Sequence, residues 1–175
     1  MRNDQSTTTF SEAVGRVFAA EFGRLFRYLD RASGDPDLAG DLAQEAFVRL
    51  YQRGSMPDSP GAWLVTVANN LRRNAGAKVA RRRRLMTLAR SDDALADPAP
   101  RPDDLVLAQE GRAQVRAVID RMPERESQLL LLRAEGYGYR EIAAMLELHE
   151  ASVGTLVARA RRAFLKAYEG GDDAS

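Results

Sequence analysis

A chain of 175 residues with 45% hydrophobic content is long enough for one domain, or two small ones, with real cores. It has no cysteine and one histidine, His149, which excludes disulfide frameworks, thiol catalysis, cysteine-ligated zinc and multi-histidine metal sites, so neither metal nor cofactor is expected. The net charge is only +1, yet seven basic residues and no acid lie between Arg72 and Arg84, whereas six acids face one arginine between Ser91 and Glu110.

The start, "MRNDQSTTTF", is polar and carries no apolar run. No segment approaches the roughly 18 apolar residues of a membrane span. A soluble cytoplasmic protein with no membrane insertion is therefore expected. Helical periodicity dominates and strand alternation is not evident, so the fold class is all-α.

The first helix should run from about Ser11 to Ala32, with Val14, Phe18, Phe22, Leu25 and Leu29 on one face. A second begins with Asp35 as cap and Pro36 at the first helical position. Its apolar stripe is Leu38, Leu42, Ala46, Phe47 and Leu50, which leaves Asp41, Gln44 and Glu45 on the wet face. A third repeats the device with Ser59 before Pro60 and turns Trp63, Leu64, Val67, Ala68 and Leu71 inward. These helices make a first domain over residues 1–86. "SDDALADPAPRPDDL" has three prolines and five aspartates in fifteen residues, and reads as a flexible acidic linker over 87–107. A second domain spans 108–170, with Val115, Val118, Ile119 and Met122 as a stripe and a helix from Pro123 to Gly136; residues 171–175 read as a frayed tail.

The second domain ends on "YREIAAMLELHEASVGTLVARARRAF", a short apolar helix, a break and a longer helix, which is the pattern of a helix-turn-helix. On the longer helix Val153, Leu156, Ala160 and Phe164 form a buried stripe. Ser152, Thr155, Arg159, Arg162 and Lys166 form a second one. Hydroxyls at the front and cations behind suit a helix entering the major groove, where arginine can fork onto guanine or phosphate. The same spacing also describes the solvated face of an ordinary amphipathic helix. The run from Arg72 to Arg84 is either a solvated helix end or an anion-binding surface for phosphates.

"DLAQEAF" (41–47), "AWLVTVANNLRRN" (62–74) and "YREIAAML…SVGTLVARARRAF", in this order and on either side of an acidic linker, resemble the signatures of extracytoplasmic-function sigma factors of the sigma-70 family. The resemblance covers roughly residues 10–168. It implies a two-domain transcription initiation factor with no catalytic residues: region 2 would bind core RNA polymerase and open the −10 element, and region 4 would hold the −35 element. It places Asp41, Gln44, Glu45 and Phe47 on the β′ clamp coiled coil of the polymerase. Asn69, Asn70, Arg73 and Asn74 become the pocket and rim for unstacked −10 bases, while Lys78, Arg81 and Arg82 hold phosphates. Arg140, Ser152, Thr155, Arg159, Arg161, Arg162 and Lys166 become the −35 contacts. The implied partners are core polymerase (clamp coiled coil and β flap), promoter DNA and an anti-sigma factor, and the implied location is the cytoplasm, at the nucleoid when in holoenzyme.

Three departures from the family pattern stand out. Glu147 occupies a turn where the family usually has glycine, and must take that geometry with a side chain. Val157 and Ala158 stand where polar or basic residues are usual, which shifts base reading toward Arg161 and Arg162 or toward DNA shape. Asn74 and Ala77 replace the usual acidic and arginine residues. A competing reading is a dimeric helix-turn-helix regulator acting on a two-fold operator without core polymerase. Against an enzyme, the sequence has no Gly-rich phosphate loop, metal cluster or nucleophile–base pair.

Overall fold

The computed structural model describes the backbone of residues 2–87 and 103–172, and the side chains of 9–76 and 111–170. The described residues form seven helices and no strand, as the all-α reading expects. They are α1 (Arg2–Ser33), α2 (Pro36–Arg53), α3 (Pro60–Thr87), α4 (Asp103–Arg121), α5 (Glu124–Ala134), α6 (Tyr139–Leu146) and α7 (Glu150–Asp172).

Helix starts follow local chemistry. Asp35 accepts a 3.0 Å hydrogen bond from the Leu38 N–H and Pro36 opens α2, while Gly54, at φ 70°, closes it in the left-handed region. The Trp63 N–H donates to the Ser59 carbonyl as α3 begins at Pro60. Pro123 is the residue before α5 rather than its first turn. Two boundaries differ from expectation. α1 already begins at Arg2, where local propensity is only a weak constraint on a longer helix. α4 begins at Asp103, inside the segment read as linker; Asp103 and Asp104 fall in its first turn, where the helix dipole favours carboxylates. Residues 88–102, the heart of the expected linker, and 173–175 of the expected tail lie outside the described residues.

α1, α2 and α3 pack around Leu25, Tyr28, Leu29, Leu42, Ala46, Leu50, Leu64 and Val65. α5, α6 and α7 pack around Leu129, Leu132, Ile142, Met145 and Val153, with Val118 and Ile119 of α4 added. A fully buried leucine contributes about 2 kcal/mol by leaving water. Phe18 and Val115 depart from their expected inward stripes: both are more than two-fifths exposed, although one side of the Phe18 ring still meets Phe22 and Phe47.

The two halves are in contact. α6 packs against α3 and α1 against α5, and buried residues of both halves join one hydrophobic cluster. Among the described residues, no helix is long and apolar enough to cross a membrane.

Candidate nucleic-acid interface

On α2, the residues between the buried Leu42, Ala43, Ala46 and Phe47 are Asp41, Gln44 and Glu45, and all three are exposed. Glu45 pairs with Arg49 one turn on, at 2.9 Å. Phe47, grouped with them by resemblance, is 6% exposed. Its ring meets Phe18 edge-on at 5.0 Å and Phe22 at 6.0 Å, so it belongs to the core. The helix instead shows Val48 and Tyr51, which with Phe18 rim a shallow apolar depression beside Gln44. Sequence reasoning missed this patch, although Val48 and Tyr51 sit off the apolar stripe of α2 and that misfit was readable.

On α3, Ala62, Val65, Asn69 and Arg72 share a face at spacings of 3, 4 and 3. Asn69 is 3% exposed and its side-chain oxygen accepts a 2.9 Å hydrogen bond from the Tyr28 hydroxyl. This turns Asn69 into the core, apart from the exposed Asn70, Arg73 and Asn74 with which it is grouped as a base-capturing pocket. Burial pushes the Tyr28 hydroxyl up to about 12. Asn70, Arg73 and Asn74 lie exposed, and Arg73 donates a 2.8 Å hydrogen bond to the Asn70 side-chain oxygen. Lys78, Arg81 and Arg82 continue along α3, with side chains outside the described residues.

In the second half, Gly138 precedes α6 and its N–H donates to the Glu141 carboxylate at 2.7 Å. α6 ends at Glu147, whose φ of 52° and ψ of 54° are left-handed, as the missing glycine requires. The Leu148 N–H reaches back to the Ala143 carbonyl at 2.9 Å, closing the turn before α7.

α7 carries two separate faces. Val153 and Ala160 are fully buried and Leu156 and Phe164 partly so. Ser152, Thr155, Arg159, Arg162 and Lys166 are all exposed. Arg159 also pairs with Glu126 of α5 at 3.2 Å. Val157 packs against the core, which explains an apolar residue there. Arg161, expected among the DNA contacts, is exposed one turn after Val157 and lines a groove with Val157, Phe164 and Tyr168. Arg140 is exposed in the first turn of α6.

Two helical units, the second ending in a helix-turn-helix with a basic outward stripe, have the architecture of a DNA-binding protein. Residues 17–91 match the model of sigma-70 region 2 and residues 112–164 that of sigma-70 region 4. The chain is 32% identical over 148 residues to the RNA polymerase sigma-H factor of Pseudomonas aeruginosa, covering 77% of this chain and 75% of that one. It is 30% identical over 144 residues to the ECF RNA polymerase sigma factor SigE of Mycolicibacterium smegmatis, covering 79% of this chain and 55% of that one. The chain belongs to the sigma-70 family of RNA polymerase sigma factors, in the extracytoplasmic-function group.

The chain spans only 39–59% of the length of several curated relatives it matches. Among solved structures, the sigma factor RpoE of Bartonella quintana in complex with the anti-sigma factor NepR superposes with a TM-score of 0.62 at 18% identity. The match covers 89% of this chain and 96% of that one, and is a likeness of fold.

Proposed function

We propose that this protein is an alternative sigma factor that docks on core RNA polymerase through α2 and directs it to promoters. Asp41, Gln44 and Glu45 are the polymerase-facing polar residues, and the Phe18–Val48–Tyr51 patch beside them supplies the apolar part of the contact. Asn70, Arg73 and Asn74 meet the opened −10 strand, with Lys78, Arg81 and Arg82 on its phosphates. The outward stripe of α7, with Arg140 at the start of α6, meets the −35 duplex. The polymerase supplies the chemistry; the sigma factor contributes binding energy that favours unstacked bases over paired ones. An anti-sigma partner belongs to this reading, since the related RpoE was solved with one.

The observation that supports this reading best is the separation of duties on α2. It buries one face completely while leaving three contiguous polar side chains without a packing role. A helix whose only task was to complete a bundle would have no use for the motif that matches the family there.

The test is co-elution of the full chain with bacterial core polymerase, comparing wild type with the double variant Asp41→Ala/Gln44→Ala. Co-elution weakened by the double variant supports the proposal. A wild type that ignores core polymerase and binds palindromic DNA alone replaces it with the dimeric regulator.

A further inference from the structure

The first turn of α5 grips the helix-turn-helix from outside it. Arg125 Nη2 donates to the Leu146 carbonyl at 3.1 Å, at the end of α6 and just before the left-handed Glu147. The next residue, Glu126, turns to the other helix: its Oε1 accepts a hydrogen bond from Arg159 Nη2 of α7 at 3.2 Å. Two consecutive side chains thus tie α5 to both helices of the motif.

The second tie is unlike an ordinary surface pair. Only 18% of the Glu126 side chain is exposed, against 62% of the Arg159 side chain, so the carboxylate is largely shielded from water and the arginine comes to it. In the Glu45–Arg49 pair both side chains are 47% exposed, and such pairs hold their members loosely. Arg159 sits in the middle of the outward stripe of α7, between Thr155 and Arg162. Among the described residues, no carboxylate pairs with Arg162 or Lys166. One cation of the stripe is tethered, and the two that follow it are not.

Tethering changes what an arginine does on DNA. An unpaired arginine is drawn to phosphate, and each such contact releases counterions. With Glu126 alongside, the pair is close to neutral and its carboxylate repels phosphate. The tether engages one N–H of the guanidinium and leaves the others. Two of these can fork onto O6 and N7 of a guanine, and a fork that is already aimed loses less side-chain freedom on binding. Val157 packs on the core and Ala158 is apolar, so neither supplies a polar group beside Arg159.

We propose that Glu126 is a positioning residue for promoter reading: it aims Arg159 at the edge of a guanine in the major groove, while Arg162 and Lys166 hold phosphates. The inference rests on the reading that the outward stripe of α7 meets the −35 duplex.

The test uses holoenzyme assembled from the full chain and core polymerase, offered duplexes randomised over the −35 element. Two quantities are read: the base preference at each position, and the slope of log affinity against log salt on the duplex that wild type prefers. Wild type should favour one G·C pair by about tenfold, and Arg159→Ala should lose that preference. Glu126→Gln keeps the size of the side chain and should leave the unfolding midpoint unchanged. It should lose most of the preference at that one pair and steepen the salt slope by up to about 1, as the released Arg159 takes a phosphate. In the Arg159→Ala background, Glu126→Gln should change the preference no further. A Glu126→Gln holoenzyme that keeps the wild-type preference, or weakens selection equally at every position, overturns the positioning role. A wild-type preference untouched by Arg159→Ala overturns base reading by this arginine. A wild-type holoenzyme that selects no −35 sequence at all is a separate result, and overturns the assignment of α7 to that element and this inference with it.

Discussion

The Tyr28 hydroxyl and the Asn69 side chain satisfy each other inside the first half, joining α1 to α3 by one buried hydrogen bond of 2.9 Å. Removing either partner strands the other away from water. Tyr28→Phe and Asn69→Ala should each lower stability by about 1–3 kcal/mol in urea titrations. An Asn69→Ala protein of unchanged stability that no longer holds −10 strand would return Asn69 to the DNA surface.

The same pair sets an alkaline response. The Tyr28 hydroxyl ionises near 10 when unfolded and near 12 when folded, because burial penalises the phenolate. The folded state thus holds a proton that the unfolded state loses first. Stability is complete below pH 10 and falls between about pH 10 and 12, at up to about 1.4 kcal/mol per pH unit. Tyr137 is raised as well, by burial first and then by Glu21, so it adds to the fall. Denaturation midpoints across this window should drop less steeply for Tyr28→Phe than for wild type.

Glu147 carries a side chain in a left-handed conformation, at φ 52°. Glu147→Gly should raise stability by about 0.5–1 kcal/mol by removing that strain. Glu147→Val should lower it by more than 1 kcal/mol, since a branched β-carbon crowds this region further. Equal midpoints for the two variants would show that the turn carries no strain.

Phe47 and Gln44 should separate by mechanism. Phe47→Ala empties a ring-lined core position and should destabilise by about 3–5 kcal/mol. Gln44→Ala should stay within about 0.5 kcal/mol of wild type and weaken polymerase co-elution only. A Phe47→Ala protein of normal stability would contradict its burial.

Arg162 and Arg161 are chain neighbours on different faces of α7. Arg162→Ala should reduce the slope of log affinity for −35 duplex against log salt by about 1, the signature of one lost phosphate contact. Arg161→Ala should leave the slope nearly unchanged. Equal effects would place both on DNA.

Most of this architecture was legible in the chain. Capping residues and helical spacing located α2, α3, α6 and α7, and the glycine missing at Glu147 foretold its left-handed backbone. The misses have one cause. Asn69 sits one position after Ala68, and polar identity alone cannot show that a tyrosine forty-one residues earlier waits for it. Phe18 reads as core until the neighbouring helices leave it uncovered. Arg161 extends the basic pattern in sequence, but 3.6 residues per turn place it above Val157 rather than beside Arg162. The meeting of the halves was equally unreadable, because Glu135 and Arg31 look like ordinary surface charges until they are brought within 2.6 Å.

The two faces of α7 also bear on how such proteins diversify. Val153, Val157 and Phe164 hold the helix in place, whereas Ser152, Thr155, Arg162 and Lys166 have no packing duty. Exchanges among those four alter stability by no more than about 0.5 kcal/mol. On the proposed function, a lineage can therefore rewrite which promoters it reads at those positions while the scaffold behind them stays fixed.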